Sequence, residues 1–150
     1  MAQGIGSLDI LWDHEHHVVY SMEDFKSITG GYCFYIISEP SMPWGIYGIT
    51  KIIDRRYCQY LMSEPEALLW KEGVHIYIWK GKRKRIRALE TTIKKILREN
   101  EEYDDVKTIN ERGNQVEYFP NEYAEFMVSF VSKTIRSLRA SSKYVNTHQK

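Results

Sequence analysis

Helical periodicity turns one charged side chain of this chain inward and sets another at the edge of an apolar stripe. Across residues 84–100 the apolar set Ile86, Leu89, Ile93, Ile96 and Leu97 recurs at helical spacing. At about 100° per residue these fall on one stripe, and Glu90 sits roughly 40° from Ile86, beside Leu97. A carboxylate on an inward face is unfavourable unless it is paired, protonated or holding a metal ion. Glu90 is therefore expected either to pair with a basic residue such as Arg56 or to ligate a cation. Between Ile52 and Met62 the same wheel gives a stripe of Ile53, Tyr57, Tyr60 and Leu61. Arg56 falls at its edge, aimed toward a sheet margin, whereas Arg55 faces water. A guanidinium so placed can offer two parallel N–H donors to a carboxylate or a phosphate. A third feature is local charge: Lys80, Lys82, Arg83, Lys84, Arg85 and Arg87 fall within eight positions. Such a run, on a turn and helix start, can follow a phosphate backbone, act as a nuclear-localisation address, or simply be a solvated helix entry.

The elements that must position these groups follow from the same sequence. The run from Tyr32 to Ser38 is aromatic and β-branched on both alternating faces, which fits a central strand covered on both sides. Pro40, Pro43 and Gly45 enforce a loop, and a second strand from Ile46 to Lys51 is close enough to pair antiparallel with the first. Gly48 within it suggests a close backbone approach or a bulge. A helix over Ile52–Met62, a short helical piece from Glu66 to Trp70, a strand from Val74 to Trp79 and a long helix from Lys84 to Asn100 follow. Strands are expected over Val106–Ile109 and Gln115–Phe119, and then a helix capped by Asn121 that runs to Leu138. Ahead of all this, residues 1–29 read as an arm without a clean period, containing a short helix that Ser21 and Asp24 open in a capping arrangement and Gly30-Gly31 stops. His14, His16 and His17 in that arm invite a zinc reading, but no Cys pair stands near, so a polar loop is expected. His75, alternating with strand residues, is expected to be packed or at the surface. The order of elements predicts an α+β fold, a small and largely antiparallel sheet flanked by helices, over 30–139, with a frayed tail over 140–150.

Composition sets the outer limits. At 150 residues, with 43% hydrophobic and 27% charged residues, the chain suits one folded domain rather than a disordered segment. Its net charge is only +1, so attraction to a polyanion must come from a patch. The two cysteines, Cys33 and Cys58, both fall in predicted regular elements and suggest a reducing compartment rather than a disulfide scaffold. No apolar run of about 18 residues and no secretory pattern at the start are present, and Ala2 breaks the myristoylation pattern, so an intracellular protein without a membrane partner is expected.

Cys33-Phe34-Tyr35, ten residues, Ile46-Tyr47-Gly48 and then Arg56 form a spaced series that resembles the core of the GIY-YIG nuclease family. Ser41-Met42-Pro43 and Gly48-Ile49-Thr50 are similar to its phage and large-DNA-virus branch. Ala88-Leu89-Glu90 resembles its metal-binding segment, and Val116-Glu117-Tyr118-Phe119 its closing strand. The resemblance covers residues 31–135. It implies a metal-dependent endonuclease acting on DNA, with Tyr35 orienting or deprotonating the attacking water, Arg56 binding phosphate and Glu90 holding Mg²⁺ or Mn²⁺. Lys51 would supply the cation that a phenol needs in order to act as a base near neutral pH. The second-motif tyrosine does not carry over directly: Ile46 occupies its place, and Tyr47, one residue off, faces the opposite side of the strand unless a bulge at Gly48 restores its aim. The rival expectation is a scaffold that has lost catalysis and serves as a nucleic-acid-binding or structural component, with protein partners in a phage or large virus particle. In either case the cations Lys51, Lys80, Lys82, Arg83, Lys84, Arg85 and Arg87 are the expected nucleic-acid contacts.

Overall fold

Alternation of buried side chains along a strand and their three-to-four-residue recurrence along a helix account for most of the architecture. The computed structural model describes residues 14–28, 30–40, 43–51, 72–106 and 117–148. The helices expected over Ile52–Met62 and Glu66–Trp70, with Arg55 and Arg56, lie outside the described residues, as do Ser41, Met42, Cys58, residues 107–109 of one expected strand and the start of another at 115–116.

Five strands form one sheet in the order β1-β4-β2-β3-β5, every pairing antiparallel: β1 is Glu15–Val19, β2 Cys33–Ser38, β3 Trp44–Thr50, β4 Val74–Lys80 and β5 Glu117–Pro120. The expected α+β class is what the molecule has. β2 lies at the centre and all of its residues are buried, as a run apolar on both faces requires. Cys33, Tyr35 and Ile37 go to one face, where they pack with Ile46, Val74, Ile76, Ile78, Val19 and Phe25. Phe34 and Ile36 go to the other, with Tyr47, Trp79 and Phe119.

Three helices complete the described fold. Helix α1 (Met22–Lys26) begins where Ser21 Oγ accepts a hydrogen bond from the Asp24 amide at 3.1 Å. The Asp24 carboxylate accepts in turn from the Tyr20 amide at 3.1 Å, so the reciprocal half of the capping box reaches one residue further back than usual. Helix α2 (Arg83–Glu99) buries Ile86, Leu89, Ile93 and Leu97 against the Phe34 face, the stripe read from periodicity. Helix α3 (Ala124–His148) buries Met127, Val131 and Ile135 against the same face and continues beyond the expected end at Leu138, through the stretch read as a frayed tail.

Three expectations are corrected. Residues 15–19 are an edge strand paired to β4, not an irregular arm, so the sheet starts well before residue 30. Val106 closes a 3-10 turn over Glu101–Val106 instead of opening a strand. Asn121 does not cap α3: a 3-10 turn over Asn121–Tyr123 intervenes, and its side chain serves the β2–β3 connection. Ser38 Oγ donates to Asn121 Oδ1 and Asn121 Nδ2 donates to the Glu39 carbonyl, each at 2.6 Å, while the Asn121 amide donates to the Pro43 carbonyl at 2.9 Å. One side chain thus satisfies loop groups that would otherwise be buried without partners. No helix among the described residues is long and apolar enough to cross a membrane.

Candidate functional site

The β2–β3 register decides where the two tyrosines point. It runs without interruption from Cys33 opposite Thr50 to Ile37 opposite Ile46, so Gly48 is paired with Tyr35 and no bulge is present. Gly48 instead provides a close approach: a Cβ there would lie 2.9 Å from Tyr35 Oη and 3.2 Å from Cζ. Tyr35 is 1% exposed and belongs to the face that α1 covers. Tyr47 is fully buried on the opposite face, its ring 5.6 Å from that of Phe34. Uninterrupted alternation therefore separates the two tyrosines by the thickness of the sheet.

Glu90 lies on the Tyr47 side. Its carboxylate pairs with Lys94 one turn along α2 at 3.7 Å, and the same ammonium lies 3.3 Å from Glu117 of β5. Glu117 is the cross-strand neighbour of Tyr47, which places Glu90, Lys94, Glu117 and Tyr47 in one group. The Glu90 side chain is 18% exposed and that of Glu117 9%. Glu90 thus has a basic partner in Lys94, while Arg56, the partner named from the sequence, lies outside the described residues. Among the described residues no group of three or more His, Cys, Asp or Glu side chains is arranged to hold a metal ion. Tyr35 and Glu90, expected together, are on opposite sides of the sheet.

Of the two cysteines only Cys33 lies among the described residues, and it is buried. Burial, the largest influence, pushes the Cys33 thiol up to about 12 although nearby Lys80 acts in the opposite sense, so thiolate is disfavoured near neutral pH.

The cations are arranged differently. Lys51 is exposed just past β3, and its carbonyl accepts from the Gly31 amide at 3.4 Å. Lys80 bonds across the β1–β4 edge to Glu15 at 3.3 Å. Lys82, Arg83, Lys84, Arg85 and Arg87 are all exposed, at the entry and first turns of α2. This helix start has no acidic residue in its first turn, and Lys82 at the cap position makes no side-chain capping bond. Cations beside the positive end of a helix oppose its dipole, an arrangement that a bound anion relieves.

Sequence reading missed the continuation of this charge. Measured from Ile86 at about 100° per residue, Arg83, Lys84, Arg87, Lys94, Lys95 and Arg98 all fall between roughly 60° and 180°, one flank of α2 from end to end. Lys95 and Arg98 are exposed like the first-turn cations. The helix holds seven basic residues against two acidic ones, whereas the whole chain has 21 against 20, so the remainder is net acidic. The signal was available in the i, i+4 spacing of Arg83 and Arg87 and its recurrence at Lys94 and Arg98. It was masked by the density of the first run.

Compared with protein-family models, with curated proteins and with solved structures, the chain matches none.

Proposed function

We propose that this protein binds nucleic acid, DNA in the first instance, by laying the basic flank of α2 along a phosphate backbone, and that it holds the strand without cutting it. The observation that carries the reading is the segregation of charge: exposed cations line one side of a helix about 25 Å long inside a chain that is otherwise acidic. At about 3.4 Å per nucleotide on each strand, that length spans several phosphates. The uncapped amides of the first turn add donors at the end where the cations are densest. Against hydrolysis stand the position of Tyr35 on the far face of the sheet and the engagement of Glu90 by Lys94.

Binding of this kind is dominated by counterion release. Affinity for a duplex oligonucleotide is expected to fall linearly on a log–log plot against salt, with a slope of about 0.9 per phosphate contacted. Reversing Lys84, Arg87 and Lys95 to Glu together should weaken binding at least tenfold and reduce the slope by about 2 to 3. The same reversal at Lys26 of α1 and Lys133 of α3 should leave the slope unchanged. Affinity that ignores salt, or that responds equally to both sets, rejects the reading. Nicking of a supercoiled plasmid with Mg²⁺, abolished by Glu90→Gln, would return the protein to the nuclease class.

A further inference from the structure

At one end of the sheet β2 begins while β3 and β4 finish, because Cys33 is opposite Thr50 on one side and Lys80 on the other. The backbone stays bonded one step further out: the Gly81 amide donates to the Tyr32 carbonyl at 3.1 Å, and the Gly31 amide donates to the Lys51 carbonyl at 3.4 Å. Tyr32 is thereby flanked by Lys51 on the β3 side and by Gly81 on the β4 side, with adjacent strands about 4.8 Å apart. Helix α2 starts at Arg83, two residues past Gly81, so its entry stands at the same corner.

Tyr32 is the aromatic exception of its face. By alternation it lies on the helix side with Phe34 and Ile36, and it packs against their cluster. Those two are fully buried, whereas Tyr32 is only half-buried. Around it Lys51 and, from α2, Arg83, Lys84 and Arg87 are all exposed. The first carboxylate along α2 is Glu90, and Lys94 engages it.

A ring with an accessible part, set among exposed cations, matches the two halves of an unpaired nucleotide: the phosphate goes to the cations and the base stacks on the ring. Inside a duplex each base is already stacked on its neighbours, so a duplex can use the cations alone. We infer that Tyr32 is a stacking platform for an unpaired base, which makes single-stranded nucleic acid the preferred ligand of this corner. The inference rests on the proposed role of α2 and adds the substrate class to it. Tyrosine suits the task because its body is already held by the core and only two side-chain torsions remain to be fixed.

The test measures binding of the full chain to a short labelled single strand of mixed sequence and to the duplex of that sequence, over a salt series. The parent chain should bind the single strand at least about fivefold more tightly at equal salt, and Tyr32→Leu should lower that affinity about tenfold while duplex affinity and both salt slopes stay as they were. Tyr32→Trp, which keeps an aromatic face, should keep the preference. Lys51→Gln should reduce the single-strand slope by about 0.7. Folding of each variant is read from its thermal midpoint, and one measurement needs no variant: the Tyr32 ring-proton resonances of the parent chain should move upfield with the single strand and not with the duplex. Equal affinity for the two forms, parent-like single-strand affinity in Tyr32→Leu, or Tyr32 ring protons that ignore the single strand would overturn the proposal. A salt slope unchanged by reversing Lys84, Arg87 and Lys95 would instead strike the role of α2 on which it rests.

Discussion

Gly48 is the residue on which the packing of Tyr35 depends. With Tyr35 Oη 2.9 Å from where a Cβ would sit, Gly48→Ala forces either the ring or the strand to move. The expected cost is about 1–3 kcal/mol, read as a lower urea midpoint, and a midpoint equal to that of the parent chain would contradict the close packing. Lys94 carries a comparable burden on the other face, because it is the cation shared by Glu90 and Glu117. Lys94→Met removes that charge and is expected to lower stability by about 1–3 kcal/mol, whereas Lys95→Met, one position on and exposed, should change it by less than about 0.5 kcal/mol. Equal effects would show that the ion pairs contribute little. The inward direction of Glu90 was legible, because α2 has one clean apolar stripe. Its partners were not: Glu117 is brought close only by the β3–β5 pairing, which no local pattern announces. The direction of Tyr35 was illegible for a related reason, since β2 is apolar on both faces and a strand of that kind carries no inside-or-outside signal.

At the scale of elements, α1 and β1 show how local chemistry sets a boundary. Helix α1 has only five residues, too short to stand by itself, and leans on its cap and on Phe25. Ser21→Ala is expected to lose about 0.5–2 kcal/mol, visible as faster amide exchange over residues 22–28, and unchanged exchange there would show that packing alone holds the turn. β1 responds to acid. Neutral His16 is favoured in the fold by its partial desolvation and by the electrostatic influence of His75, His14 and His17, with Tyr77 stacked upon it and Glu125 of α3 acting on Tyr77. Its folded-state pKa lies below the ordinary 6.5, so its contribution is present above pH 6.5 and lost as pH falls through the folded value. On the other face burial raises the Glu15 pKa, but hydrogen bonds from His17 and Lys80 outweigh it and hold the carboxyl below 4.5, so that contribution also disappears in acid, at lower pH. A proton NMR titration should place the His16 midpoint below 6.5, and His75→Gln should raise it. A midpoint above 6.5 in the parent chain would reverse the sign. β1 was hidden in the sequence because its helix-side positions are His16 and Val18, a polar residue followed by an apolar one, so the alternation looked broken. Stacking of His16 on Tyr77 makes the pattern regular again. The strands β2, β3 and β4 and the helix α2, by contrast, were legible to within a few residues, because runs of aromatic and β-branched residues mark the strands and one buried stripe marks α2.

Across the whole molecule the governing feature is separation. The sheet places its apolar side chains on both faces, α2 and α3 cover one of them, and the basic residues gather on the flank of α2 that faces away from the core. A chain with a net charge of +1 thereby presents a local polycation. The measurement that tests this most directly is an amide chemical-shift map of the protein titrated with a short DNA duplex at low salt. The account predicts perturbations concentrated from Lys82 to Arg98 that disappear as salt is raised. Perturbations centred on Tyr35, Gly48 and the β2–β3 hairpin, with α2 silent, would contradict it.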